Sequence, residues 1–235
     1  MKLHKLTILV LVLIITNCTL KPIAGIEKIN SPEVGILRIG FDIDDTVLFS
    51  KLNFEKAPKS NDNSDHVDFT WINQHDKEYS TLIQPIAELI NFYRHQGHEI
   101  FFITARPATK DETVGDFLTE ILGFPIKEGI NMFFESKAKS EITGKRHTTK
   151  HLRIKDLELD MFVGDSDTDI IAGIKAGVHT VRVLRNPASV ESYSRNYFGD
   201  TKKGEPINIE WFNKFVSTGV GPYGETILPL YDINN

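Results

Sequence analysis

Gly35-Ile-Leu-Arg-Ile-Gly-Phe-Asp42, continued by Ile43-Asp-Asp-Thr-Val-Leu48, is the stretch whose reading decides the fold. Its first half is rich in branched and aromatic residues and reads as a strand. That strand runs out into carboxylates at Asp42, Asp44 and Asp45. On an extended backbone, residues two apart point to the same side, so Asp42 and Asp44 are expected to face one cleft. Acidic residues after a strand are also ordinary turn formers, and this stretch alone leaves both readings open.

Outward from that strand the chain alternates. A polar stretch from Lys51 to Ser80, carrying Asn61-Asp-Asn-Ser-Asp65, has too little periodic hydrophobicity for a layer of its own. It reads as a small cap inserted at about 49–82. Pro85 to His95 places Ile86, Leu89, Ile90 and Tyr93 at helical spacing, Gly97 ends that helix, and Glu99-Ile-Phe-Phe-Ile103 follows as a second buried strand. Next come a helix over Asp111 to Leu122, a short strand at Asn131 to Phe134, a helix around Thr149 to Lys155 and a strand at Asp160 to Val163. Thr168 to Ala176 reads as a helix stopped by Gly177, and His179 to Leu184 as a strand. This alternation predicts a three-layer α/β fold with a Rossmann-like parallel sheet, in which ligands sit beyond the carboxyl ends of the strands. The domain is expected over 33–205, followed by an extension over 206–235; the tail beyond Arg185 is mixed, with Pro, Gly and scattered aromatics, and its sequence says little.

The ends of the later strands carry chemistry too. Ile103-Thr-Ala-Arg106 offers a hydroxyl that can donate to a phosphoryl oxygen and a guanidinium that can neutralise an anion. Thr before Pro107 is also an ordinary helix start. Phe162-Val-Gly-Asp-Ser-Asp-Thr-Asp-Ile170 repeats the pattern of the first strand. Asp165 stands where a cation could be ligated, and Asp169 falls in the first turn of a helix, where the dipole favours a carboxylate. An EF-hand loop needs a Gly and a distal Glu at fixed offsets, and these are absent. Lys150, at the predicted start of the preceding helix, could meet a phosphate and a carboxylate, although a lone lysine is more often a solvated surface group. Two like charges in one cleft repel, so such a site needs a cation, and hard oxygen ligands suit Mg²⁺. With charge screened, the first carboxylate can attack phosphorus and the second can hand a proton to the leaving group.

A formal net charge of -5 without any basic block argues against nucleic acid as a partner. Met1-Lys-Leu-His-Lys5 leads into an apolar run from Leu6 to Ile15, the layout of a secretory signal and short for a membrane span. Export is therefore expected, with a leader over 1–25. Cys18, the one cysteine, follows in Ile15-Thr-Asn-Cys18 and resembles a loose bacterial lipoprotein box whose thiol is acylated. The alternative is a cysteine lost with the signal peptide. In either case no internal disulfide is expected.

Asp42-x-Asp44-x-Thr46, Thr104, Lys150 and Gly164-Asp-x-x-x-Asp169, in that order, resemble the four motifs of the haloacid dehalogenase superfamily. Phe41-Asp-Ile-Asp-Asp-Thr-Val-Leu-Phe-Ser50 with Gly164-Asp-Ser-Asp-Thr-Asp169 is more closely similar to the bacterial class B acid phosphatases, periplasmic phosphohydrolases and phosphotransferases. The resemblance runs from about Ile39 to Gly199. It implies Asp42 as nucleophile and Asp44 as general acid and base. It further implies Mg²⁺ held by the Asp42 carboxylate, the Asp44 carbonyl and Asp165 with Asp169 in support, and phosphate held by Thr104, Arg106 and Lys150. An aromatic pocket for the leaving group falls on Phe54, Trp71 and Tyr193, and the small-molecule phosphomonoesters implied include nucleotides, aryl and sugar phosphates. A periplasmic or outer-membrane location and a homotetramer are also implied. Two positions depart from the pattern: Ala105 stands where the family usually has Gly, and the chain extends past Glu210, which bears on the arm that supports the tetramer. A class C acid phosphatase-like nucleotidase lipoprotein is the neighbouring reading, and a surface lipoprotein that binds without turnover is one of another class. Asp42, Asp44, Lys150 and Asp165 in register argue against the last, because binding alone requires neither a nucleophile nor an acid.

Overall fold

Alternation of side chains along a strand becomes two packed faces when helices cover both sides of a sheet. In the computed structural model, which describes residues 35–60, 67–135, 138–139, 146–147, 149–192, 198 and 209–230, this happens around β1 (Arg38–Phe41). Its partners are β4 (Glu99–Thr104), β5 (Met132–Phe134), β8 (Met161–Gly164), β9 (His179–Val183) and β10 (Thr226–Leu228). They form one six-stranded sheet in the order β10-β9-β8-β1-β4-β5, each neighbouring pair parallel. Phe102 of β4 and Val163 of β8 bury into the core that also holds Ile39, Phe41 and Met132. The adjacent Phe101, Ile103 and Phe162 bury into a second core on the opposite face. The three-layer α/β expectation is thus met.

The helices supply the covering faces. α4 (Gln84–His95) and α5 (Val114–Leu122) turn Ile86, Ile90, Val114, Phe117 and Leu118 into the first core. α6 (Lys150–Asp156) and α7 (Asp167–Ala176) give Ile154 and Ala172 to the second. Each fully buried aliphatic or aromatic side chain is worth about 1.5–3 kcal/mol of apolar transfer. Gly177 ends α7 at φ 82°, a left-handed conformation in which a side chain would be strained.

The polar stretch after β1 folds as an insertion. β2 (Leu48–Phe49) and β3 (Thr81–Leu82) pair antiparallel, and between them lie α1 (Lys51–Lys56), α2 (Phe69–Gln74) and α3 (Asp76–Tyr79). The α2 start is fixed by Asp68, which accepts from the backbone N–H groups of Thr70 at 2.8 Å and Trp71 at 3.3 Å. A second small pair, β6 (Ala138–Lys139) with β7 (Arg146–His147), precedes α6.

Two expectations change, and the tail gains elements. α5 begins at Val114 rather than Asp111, because Asp111 has φ 59° and the Glu112 carboxylate takes the Val114 N–H at 2.6 Å, ending the turn there. In the tail, α8 (Pro187–Ser192) and α9 (Ile209–Thr218) flank a third apolar group of Leu184, Phe198 and Ile227, and β10 adds the edge strand beside β9. Residues beyond 205 thus add a strand to the sheet. Finally, the extended backbone stops at Phe41; Val47 and Leu48 both bond back to the Ile43 carbonyl, so Asp44 sits in a turn and not one pleat beyond Asp42.

Candidate active site

A parallel sheet brings the carboxyl ends of its strands to one edge, and here Asp42, Thr104, Arg106 and Asp165 arrive together. β1 is the strand at which connectivity switches direction, from β4 and β5 on one side to β8, β9 and β10 on the other. The Asp42 N–H donates to the Val163 carbonyl at 2.8 Å, which pins the end of β1 to β8.

Asp42, Asp165 and Asp169 are buried, and one carboxylate oxygen from each lies within 4.8 Å of the others. Gly164 is what lets them approach: a Cβ there would stand 2.5 Å from the Asp169 Cβ. Asp169 is held at the third position of α7 by a reciprocal cap. The Ser166 hydroxyl donates to its Oδ2 at 2.6 Å, and its other oxygen accepts from Lys150 Nζ at 2.6 Å. The same ammonium reaches Asp42 Oδ1 at 2.5 Å. Lys150, which sequence reasoning raised only by position, is thus a buried bridge between the two acidic motifs.

The charges crowd. Burial, and next the Asp169 charge, hold the Asp42 carboxyl well above the ordinary carboxylate range despite Lys150. Burial raises Asp165 also, with Arg185 opposing it through an ion pair. Burial and then Asp165 push Asp45 up to about 7, although Ser189 donates to it at 2.7 Å. For Asp169, burial works upward but is outweighed by Lys150 and Ser166, so that carboxyl moves down. Burial would likewise lower Lys150, but Asp169 and Asp42 carry it up.

Asp44 points elsewhere. Arg106, 2% exposed, grips its two oxygens at 2.5 and 2.9 Å and grips Asp76 of the insertion at 2.6 and 3.1 Å. Burial would raise the Asp44 carboxyl, yet the Arg106 charge and hydrogen bonds prevail and it falls below the usual range. Each of the two carboxylates has its own basic partner, Lys150 for Asp42 and Arg106 for Asp44. Thr104 Oγ1 accepts the Arg106 N–H at 3.1 Å. Phe54 lies beside this group, its ring centroid 5.6 Å from the Arg106 guanidinium. Trp71 is stacked on His75 at 4.1 Å and on Tyr79 at 5.4 Å within the insertion. Tyr193, Cys18 and the leader lie outside the described residues.

Sequence reasoning missed Asp76, Arg182, Arg185, Ser189 and Glu225. For Arg182 a signal existed: a charged residue inside the strand Val181-Arg-Val183 must be paired if both faces are covered. Asp76, one acid among many in a polar stretch, gave none.

Residues 27–192 match the family model described as HAD superfamily, subfamily IIIB (acid phosphatase). The class B acid phosphatase of Xenorhabdus bovienii (strain SS-2004) is 34% identical over 163 residues, 67% of this chain and 65% of that protein. That of Klebsiella pneumoniae (strain 342) is 34% identical over 156 residues, 63% of each. The aligned part is therefore just under two thirds of the length of these relatives. Among solved structures, a HAD family hydrolase from Deinococcus radiodurans R1 is similar at 14% identity and TM-score 0.39, over 67% of this chain and 87% of that one. Matched along most of its length and carrying the four motifs at one sheet edge, the chain belongs to the HAD superfamily, subfamily IIIB, of acid phosphatases.

Proposed function

We propose that this protein hydrolyses small phosphomonoesters through an aspartyl-phosphate formed on Asp42, with Mg²⁺ as its cofactor. The observation that carries the reading is the buried triad Asp42, Asp165 and Asp169 bridged by Lys150 at the switch point of the sheet. The donors fit a hard divalent cation. All are carboxylate oxygens, and among the described residues the buried acids Asp42, Asp45, Asp76, Asp165, Asp167, Asp169 and Glu225 outnumber the buried bases Lys150, Arg106, Arg182 and Arg185. A phosphate dianion cannot approach such an excess without added positive charge. Mg²⁺ would be held by Asp42, Asp165 and the Asp44 carbonyl, with Asp169 in support, and when bound it supplies charge that screens the phosphoryl oxygens.

The chain's own residues do the rest. A carboxylate oxygen of Asp42 attacks phosphorus, the ester P–O bond breaks, and Asp44 gives the departing oxygen its proton. Water then attacks the aspartyl-phosphate, Asp44 takes the proton back, and inorganic phosphate leaves with Asp42 restored. Thr104, its hydroxyl oxygen already accepting the Arg106 N–H, can donate its own hydrogen to a phosphoryl oxygen. An acid held ionised by Arg106 cannot donate, so the reading requires Arg106 to exchange Asp44 for the phosphate when substrate arrives. Phe54, and Trp71 and Tyr193 from the family pattern, would receive the leaving group. Export as a periplasmic protein or an outer-membrane lipoprotein acylated at Cys18, a cap over 49–82, transfer to alcohols and a homotetramer belong to the same proposal.

The test is a screen of purified protein against nucleotides, sugar phosphates and aryl phosphates with and without Mg²⁺, followed by rapid quench of Asp44→Asn with an aryl ester. The expected result is Mg²⁺-dependent turnover and phosphate trapped on the Asp42 peptide, because an aryl oxide leaves without a proton while the second step still needs Asp44. Turnover undiminished after verified metal removal, or no phosphate on that peptide, overturns the reading.

A further inference from the structure

The tail, of which the sequence says little, makes a buried connection to the site. Arg182, the penultimate residue of β9 and fully buried, spreads its guanidinium three ways. Nη1 donates to the backbone carbonyl of Asp165 at 3.1 Å, Nη2 to Asp167 Oδ1 at 2.8 Å, and Nε to Glu225 Oε1 at 2.6 Å. Two of these hold the loop that carries Asp165. The third comes from the residue immediately before β10. Glu225 is itself fixed: its second oxygen accepts the Tyr223 N–H at 2.9 Å, and the turn closes over it so tightly that a Cβ on Gly221 would stand 2.1 Å from its Oε1. The Tyr223 hydroxyl also hydrogen-bonds Asp167.

We infer that Glu225, through Arg182, is a positioning residue that sets where Asp165 stands and hence how tightly the acidic triad holds a divalent cation. The inference rests on the proposed reading of Asp42, Asp165 and Asp169 as a cation site. A guanidinium is the suitable link because its planar fork can satisfy a carbonyl and two carboxylates at once, whereas an ammonium presents a single point charge. Without Glu225 the fork loses its fixed end. Arg182 then has one carboxylate partner fewer, and the backbone carbonyl of Asp165 loses a donor held in place. Outer partners of this kind orient inner ligands, and their removal costs about 10- to 100-fold in metal affinity.

The experiment is Mn²⁺ titration of metal-free full-length protein, reading free Mn²⁺ by its electron paramagnetic resonance signal with no substrate present. Four proteins are compared: wild type, Glu225→Gln, Arg182→Lys and Ile227→Ala. Glu225→Gln keeps the shape and removes the charge, and Arg182→Lys keeps the buried charge and removes the fork, so either one can answer if the other folds poorly. Both are expected to raise the Mn²⁺ dissociation constant by about tenfold or more. Ile227→Ala, on β10 directly across from Arg182 and in the apolar group with Leu184 and Phe198, loosens the same strand pair without touching the charges, and is expected to lower the melting temperature while leaving that constant within about twofold of wild type. A wild type that binds Mn²⁺ and a Glu225→Gln protein that binds it equally well overturn the inference and leave the cation reading intact. Ile227→Ala weakening Mn²⁺ as much as Glu225→Gln also overturns it, since the effect is then general loosening. A wild type that binds no Mn²⁺ overturns the cation reading and the inference together.

Discussion

Replacing Arg106 by alanine is expected to weaken the fold where the insertion meets the sheet, and the structure says by how much. The guanidinium serves Asp76, which is fully buried, and Asp44, whose side chain is 25% exposed. Once Arg106 is gone, Asp44 can take water while Asp76 cannot, so the loss falls mainly on Asp76. Removing one partner of a buried ion pair costs about 3–5 kcal/mol, chiefly through the charge left behind. Arg106→Ala should therefore lose about 3–5 kcal/mol, and Arg106→Ala with Asp76→Asn should regain about half of it, since an amide no longer strands a charge. The Asn53 amide, which donates to Asp76 at 2.8 Å, would keep one bond in the double variant. Urea unfolding at pH 7 measures both, followed by circular dichroism for the whole chain and by Trp71 fluorescence, in a Trp211→Phe background, for the insertion. A loss below about 1 kcal/mol in Arg106→Ala, or a double variant no more stable than the single one, would falsify the assignment of Asp76 as the stranded charge.

Further expectations concern pH, the pocket and the leader. Asp42, Asp45 and Asp165 are raised in the folded state, so their stabilising contribution is full below the unfolded value of 3.8 and is lost as pH rises through their raised folded values, about 7 for Asp45. Asp44 and Asp169 are lowered, so theirs is present above 3.8 and changes little from pH 5 to 8. The metal-free melting temperature should accordingly fall from pH 5 to pH 8. Mg²⁺ at about 100 times its dissociation constant should raise it by roughly 5–10 °C, more at pH 8 than at pH 5. A shift that is independent of pH would show that these carboxylates do not meet the ion. Phe54→Ala is expected to raise KM for aryl phosphates and nucleotides more than for a small alkyl phosphate. Trp71→Ala, which also breaks the stack on His75 and Tyr79, should do so with a lower melting temperature, and equal KM changes for both substrate types would place either ring in packing alone. Wild type is expected to partition into detergent and to label with a fatty-acid probe, and Cys18→Ser to do neither; two aqueous, unlabelled forms would remove the lipid anchor.

What was legible in the sequence was the part whose signal is local. β4 and β8 are continuous apolar runs that end in polar residues, and α4 and α7 carry helical spacing with Gly97 or Gly177 behind them, so their limits were placed within a residue or two. The acids at the strand ends were legible for the same reason. β10 was not: it is three residues long, too short for a period, and it becomes a strand only because β9 offers an open edge. The insertion's helices, of six, six and four residues, are likewise too short to show one. Partners distant in sequence were the hardest to read. Nothing near Arg106 in sequence points to its ion pair with Asp76, thirty positions away.

Two buried arginines, Arg106 and Arg182, show how the parts that could not be read are tied to the part that could. Arg106 leaves the end of β4 and joins Asp44 to the insertion; Arg182 lies within β9 and joins the Asp165 loop to the tail. They flank the pair β1 and β8 from opposite sides, since β4 borders β1 and β9 borders β8. Each therefore places one guanidinium between an acidic loop of the site and a segment from elsewhere in the chain. A buried arginine is costly unless every donor is met, so either segment can move only if its guanidinium finds another partner. This makes the insertion and the tail parts of the site's geometry rather than decoration on it. It also sets a difference between them: Arg106 holds a carboxylate side chain that chemistry requires to be released, while Arg182 holds a backbone carbonyl that chemistry requires to stay. Movement of the insertion during turnover is thus compatible with the proposed reaction, and movement of β10 is not.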